Sequence, residues 1–169
     1  MMKGIAKTKK PTAQKKAAKG QPSVDEFLAK RDYTGALTLL EFKLKCQDGD
    51  TKELLNWIGY CAFHLGNFRR AEDAFKELLD AHDVSNEFHL YLSCCYFFQQ
   101  KFDEAERAAG LGPNNALKNR ILFNIYHRIG DENKLMTYHQ NLKDKKDDQL
   151  SLASVHYLRS HYQEVYKLV

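Results

Sequence analysis

The sequence predicts an all-α protein, a row of helical hairpins behind a disordered basic segment, and three observations predict it. Pro is scarce, with three in 169 residues and two of them in the first 22, so the rest of the chain is nearly free of the residue that breaks helices. An aromatic residue followed three positions later by a small or aliphatic one recurs at Tyr33 and Ala36, Phe68 and Ala71, Phe102 and Ala105, and Tyr162 and Val165, with a degenerate copy at Glu132 and Leu135. From Ala36 to Val165 the second members follow one another at a nearly constant interval, of the length that marks repeat arrays. Charge is also divided by position. Seven of the 26 basic residues and none of the 22 acidic ones lie in residues 1–22, which leaves 19 basic and 22 acidic residues, a net of −3, for residues 23–169.

Residues 1–22 mix Lys with Ala, Thr, Gln, Gly and Pro. They offer almost nothing to bury, so the reading is a disordered tail. The Lys-rich start has no apolar segment behind it, which excludes a secretory signal, and it lacks the Arg and Ser of a transit peptide. No stretch approaches the ~20 apolar residues of a membrane helix, so no membrane insertion is expected.

The body reads as pairs. Ser23 to Lys30 and Tyr33 to Lys45 form a short first pair, with Ser23 as N-cap and Glu26 three positions on, the spacing of a capping box. Asp50-Thr51 opens a helix reaching about Leu65; Gly66-Asn67 is a turn suited to a left-handed residue; a second helix runs from about Arg69 to Asp80. Asn86 to Gln99 and Phe102 to Ala109 repeat the unit, with Gly110-Leu111-Gly112-Pro113 as a stop. Ala116 to Ile129, a Gly130-Asp131 turn and Glu132 to Leu142 make the next pair, and Asp148 to Ser160 with Tyr162 onward the last. The alternating charges of Lys143 to Asp148 read as a solvated loop between pairs.

A period of about 34 residues built of two helices is the mark of tetratricopeptide repeats. Leu55, Ile58, Gly59 and Ala62, then Ala71 and Phe75, fall on that pattern, with Trp57 two positions from the expected Trp. The next copies are His89, Leu92, Ser93, Tyr96, Ala105 and Ala109; then Asn119, Leu122, Phe123, Tyr126, Leu135 and His139; then Gln149, Leu152, Ala153, His156, Val165 and Val169. Small residues at Gly59 and Ala71 let two helices approach closely. The prediction is therefore a tetratricopeptide-repeat helical-hairpin solenoid over 23–169, with the second helix of its last pair still open at Val169 and no polar capping helix.

Nothing in the chain argues for an enzyme. Four Cys include no Cys-x-x-Cys pair; Cys61 and Cys95 stand at equivalent places in successive repeats and read as core filler. Seven scattered His contain no His-Glu-x-x-His, and no phosphate loop or nucleophile elbow occurs. No catalytic residue, metal or cofactor is expected. Function is sought on the concave side, which first helices line in such solenoids and where partners bind. Projecting the register places Asn56, Tyr60, His64, Leu90, Phe98, Arg120, Asn124 and His127 there. Of the adjacent Phe97 and Phe98, one must face away from the interhelical core.

Beyond the generic pattern, Lys30 to Lys43 (Lys30-Arg31-Asp32-Tyr33-Thr34-Gly35-Ala36-Leu37 and on) and Leu55 to Gly66 resemble the intraflagellar transport protein 56 family, the tetratricopeptide-repeat subunits of intraflagellar transport complex B. Lys134-Leu135-Met136, Tyr138 to Leu142 and Asp148 to Glu164 are similar to the same family, so the resemblance covers roughly residues 23–164. It implies a non-catalytic scaffold or adaptor that docks on other complex B subunits, supports ciliary assembly and carries motility-related cargo, in the cilium or flagellum including basal body and cytoplasm. Members are several times longer, which implies an N-terminal portion or shortened form. Two other readings stand beside it. One is a chaperone-type adaptor gripping an acidic peptide tail, for which the groove offers Arg120 alone as a base. The other is nucleic-acid binding through the Lys-rich tail, for which the acidic body gives no support.

Overall fold

Each repeated aromatic–small pair marks the start of a helix. The computed structural model describes residues 23–168; residues 1–22, where the disordered tail is expected, and Val169 lie outside the described residues. Among the described residues there are ten helices and no strand: α1 (Val24–Ala29), α2 (Tyr33–Lys45), α3 (Thr51–His64), α4 (Phe68–Asp80), α5 (Phe88–Phe98), α6 (Phe102–Leu111), α7 (Ala116–Ile129), α8 (Glu132–Gln140), α9 (Lys146–Leu158) and α10 (Tyr162–Leu168). The even-numbered helices begin at Tyr33, Phe68, Phe102, Glu132 and Tyr162, the first member of every repeated pair.

The hairpin turns share one geometry. Two positions before each second helix the backbone enters the left-handed region, at Arg31, Gly66, Gln100, Gly130 and Ser160, with φ between 55° and 82°. The next residue caps the helix in three of them: Asp32 Oδ1 accepts from the Gly35 N–H at 2.9 Å, Asn67 Oδ1 from Arg70 at 3.2 Å, and Asp131 Oδ1 from Lys134 at 3.0 Å. Such caps satisfy backbone donors that the first turn leaves orphaned. Ser23 Oγ does the same for the Glu26 N–H.

Consecutive helices pack along the chain from α1 to α8, with α5 against both α6 and α7, and α9 packs against α7 and α10. Inside the second hairpin Gly59 lies beneath the Phe75 ring, and a Cβ at that position would come within 2.5 Å of it. In the next hairpin Ser93 holds the Gly59 place, and its hydroxyl donates to the Ala105 carbonyl at 2.7 Å. In the one after, Phe123 holds it opposite His139, ring centroids 6.1 Å apart. Bulk thus passes from one helix to the other between hairpins while the space stays filled, as close-packed interiors demand. Ala36, Ala71 and Ala105 are wholly buried, and so are Cys61 and Cys95.

Along the second-helix side, all four junctions between successive hairpins carry a carboxylate from the earlier hairpin and a cation from the later. The pairs are Glu41 with Arg70 at 2.9 Å, Glu72 with Lys101 at 3.2 Å, Glu106 with Lys134 at 3.2 Å, and Glu132 with Arg159 at 2.6 Å.

Three expectations need correction. α6 runs through Gly110 to Leu111 before stopping. The Lys143 to Asp148 run is not wholly a loop, because α9 begins at Lys146 and Asp148 is 2% exposed. Leu90 does not line a surface: it is fully buried in the cluster of Ala109, Ile121 and Ile125, with the Gly112 backbone against its side chain. The α6–α7 connection is only residues 112–115, and it closes over the start of α5.

Candidate functional site

First helices supply the walls of one groove. Its larger part, about 490 Å³, is lined by Asn56, Trp57, Tyr60, Phe63 and His64 of α3, Phe75 of α4, Tyr91 and Cys94 of α5, and Leu117 of α7. A second part of about 260 Å³ shares Cys94 and Leu117 and continues along Phe97 and Phe98 of α5, Arg120, Ile121 and Asn124 of α7, and Ser151 of α9. Asn56, Tyr60 and His64 therefore line one part, and Phe98, Arg120 and Asn124 the other. His127 is half-buried on α7 and lines neither part.

Aromatic contacts order the walls. His64 stacks on Tyr33 with ring centroids 4.8 Å apart and meets Tyr60 at 4.4 Å; Tyr60 stands edge-on to Trp57 at 5.7 Å. Phe98 stacks on Phe68 of the preceding hairpin at 4.9 Å and meets Phe63 edge-on at 5.4 Å, yet stays 53% exposed. One face of Phe98 therefore braces two hairpins, and the other is left to the solvent.

The electrostatics are sparse. No carboxylate lines either part, and Arg120 is the only Lys or Arg to do so. Its guanidinium donates to Asp148 Oδ1 at 2.9 Å and lies 3.9 Å from Asp147. Asp148 Oδ2 accepts from the Lys143 N–H at 2.9 Å. Burial would raise the Asp148 carboxyl, but the hydrogen bonds from Arg120 and Lys143 hold it below the usual carboxylate range. Arg120 is thus a strut between α7 and α9, which removes the single base on which a grip on acidic tails would rest. Cys94, at the join of the two parts, has its thiol pushed up to about 12 by burial, which favours the neutral thiol.

The register found Asn56, Tyr60, His64, Phe98, Arg120 and Asn124 but missed Trp57, Phe63, Tyr91 and Leu117. The signal was present: Trp57 and Tyr91 are spaced exactly as Cys61 and Cys95 are, and so are Tyr60 and Cys94, so each pair repeats one place on the first helix. Among the described residues no group of three or more His, Cys, Asp and Glu is placed to hold a metal, and no helix is long and apolar enough to cross a membrane.

Two solved structures share the architecture. One is MamA, at 18% identity and a TM-score of 0.65, covering 88% of this chain and 91% of that one. The other is TTC0263, a thermophilic tetratricopeptide-repeat protein of Thermus thermophilus, at 20% identity and a TM-score of 0.68, covering 86% and 84%. These likenesses show the fold. At the level of sequence, the chain is 37% identical over 157 residues to an intraflagellar transport protein 56 homolog of Caenorhabditis elegans, across 91% of this chain and 27% of that protein. The chain thus spans about a quarter of that relative's length. A model of the family described as intraflagellar transport protein 56 matches residues 55–169, the stretch that carries most of α3, all of α4 to α10 and nearly all of the groove. The chain belongs to the intraflagellar transport protein 56 family.

Proposed function

We propose that this chain acts in intraflagellar transport as a non-catalytic scaffold, joining complex B subunits to one another and to motility-related cargo at the cilium or flagellum, with basal body and cytoplasm as its other stations. The family match over residues 55–169 carries this reading. The groove supports it physically. A slot walled by aromatic rings of α3, α4 and α5, with Leu117 and Ile121 of α7 beside them, offers apolar area of the kind that anchors protein partners. Asn56, Tyr60, His64, Phe98, Arg120 and Asn124 are the partner-facing residues on this reading, with Leu90 and His127 now excluded.

The test is reconstitution. The purified chain mixed with recombinant complex B subunits should co-elute with at least one of them and remain bound through washing. Failure to associate with any subunit, singly or as the assembled complex, would sink the proposal.

A further inference from the structure

A second concavity lies where two hairpins are joined to their successors. The α6–α7 connection, residues 112–115, and the α8–α9 connection, residues 141–145, both border one pocket of about 280 Å³, together with the start of α7 and the end of α8. It shares no lining residue with the groove. Its chemistry is the reverse of the groove's: three lysines, four asparagines, Tyr138, Ala116 and a single acid, Asp148, line it.

The acid is already answered. Asp148 is 2% exposed and commits its oxygens to Arg120 and the Lys143 N–H. The acids beside it in sequence are turned elsewhere, Asp147 toward Arg120 and Asp144 to the Gln149 amide. The same contacts hold the walls in place before any ligand arrives, since Asp148 ties α9 to α7 and Asn115 caps α7 through the Lys118 N–H at 3.0 Å.

The donors are far less committed. Lys118 gives its Nζ to the Gly110 and Gly112 carbonyls at 3.2 and 3.1 Å, which leaves its charge uncancelled. Among the described residues Lys143 and Lys145 enter no ion pair, and their side chains make no hydrogen bond. The side chains of Asn119, Asn141 and Tyr138 make none either, and all five border the pocket. Unpaired donors converging under surplus positive charge are the complement of an anion. A carboxylate brings one charge and two oxygens, whereas a phosphate monoester brings nearly two charges and three strong acceptors. The second is the better match to two free ammonium groups, two amides and a hydroxyl. The pocket's only aromatic ring, Tyr138, is stacked on Tyr126 with centroids 5.4 Å apart, so little is offered to a nucleotide base.

We propose that this pocket binds a phosphate monoester on a short aliphatic stem, the phosphoserine or phosphothreonine of a protein partner. Lys143 and Lys145 take its charge, and Asn119, Asn141 and Tyr138 its oxygens. The proposal stands whether or not that partner belongs to complex B.

The experiment titrates the full chain with a phosphoserine peptide flanked by Gly and Ala, its unphosphorylated twin, inorganic phosphate, and phosphatidylcholine vesicles with and without a phosphoinositide. The phosphopeptide should bind saturably, with amide shifts at Asn119, Asn141 and Lys143, and its twin should not bind. Inorganic phosphate should shift the same amides and bind more weakly. Lys143 and Lys145 are exposed, so Lys143→Gln with Lys145→Gln should keep the native helical signal and melting temperature while weakening binding by about tenfold or more. Lys146→Gln, next in the chain but outside the lining, should change it by no more than about twofold. Absence of saturable phosphopeptide binding, shifts confined to the Lys-rich residues 1–22, or an affinity indifferent to the double substitution would overturn the inference. So would inorganic phosphate binding as tightly as the peptide, which would assign the pocket to a free anion, or binding to phosphoinositide vesicles alone, which would assign it to a membrane surface.

Discussion

The Phe75 ring occupies the space that a side chain at Gly59 would fill. Gly59→Ala should therefore drive the ring off its position and destabilise the protein by about 1–3 kcal/mol, read by urea denaturation. Adding Phe75→Leu should recover part of that loss, so the double variant should be more stable than the two single effects summed. Strict additivity would show that the ring and the glycine do not share that space.

The five hairpin turns use the same left-handed residue, but only Gly66 and Gly130 are glycines there. Gln100, at φ 62°, carries a Cβ in a conformation that disfavours one. Gln100→Gly should stabilise the protein by about 0.5 kcal/mol or more, net of the added freedom of the unfolded chain. Gly66→Ala should destabilise it by about 1 kcal/mol, and since no atom lies within 4 Å of a Cβ placed there, that effect would be one of backbone alone. Thermal melts of the two variants should move in opposite directions.

Glu72 is buried at the junction of the second and third hairpins. Burial opposes its charge, but hydrogen bonds from Lys76, Gln99 and Lys101 outweigh that and hold its carboxyl down to about 2. A carboxyl depressed on folding contributes stability above its unfolded pKa, near 4.5, and loses it as pH falls toward 2. The contribution is of order 2 kcal/mol after allowance for the half-exposed lysines. Glu72→Gln should lower stability at pH 7 and flatten the fall between pH 4.5 and 2; an unchanged acid limb in denaturation midpoints would contradict this.

Asp148→Ala should cost about 3 kcal/mol or more, because it leaves the Arg120 guanidinium partly buried without its partner. The damage should be local. Amide exchange in α9 and α10 should accelerate well before that in α3 and α4, since α9 meets the rest of the chain chiefly through α7.

How much of this was legible depends on the range of the interaction. The starts of the second helices were written in the aromatic–small pairs, because cap, turn and first buried residue all lie close together in the chain. Gly66 and Gly130 announced their turns by residue type. Arg31, Gln100 and Ser160 did not, because packing of the two helices imposes the left-handed turn on residues that do not favour it. Asp148 was hidden inside a run of alternating charges; only the fold brings the distant Arg120 to its carboxylate. Leu90 was misplaced because a register gives a helix face and not what lies over it; the short α6–α7 connection, at Gly112, covers it. The groove was half legible: the register located its helices, but the neighbouring Trp57 and Tyr91, which form much of its wall, fell outside the projected positions.

The acid-to-base order along the second-helix side gives the solenoid a grammar. A hairpin there speaks to its successor with a carboxylate and answers its predecessor with a cation, so the correct neighbour is recognised by sign as well as shape. Two earlier ends brought together would set cation against cation, and two later ends carboxylate against carboxylate. Stacking on that side is therefore directional, and a hairpin docked backwards would meet repulsion where the native order finds its ion pairs.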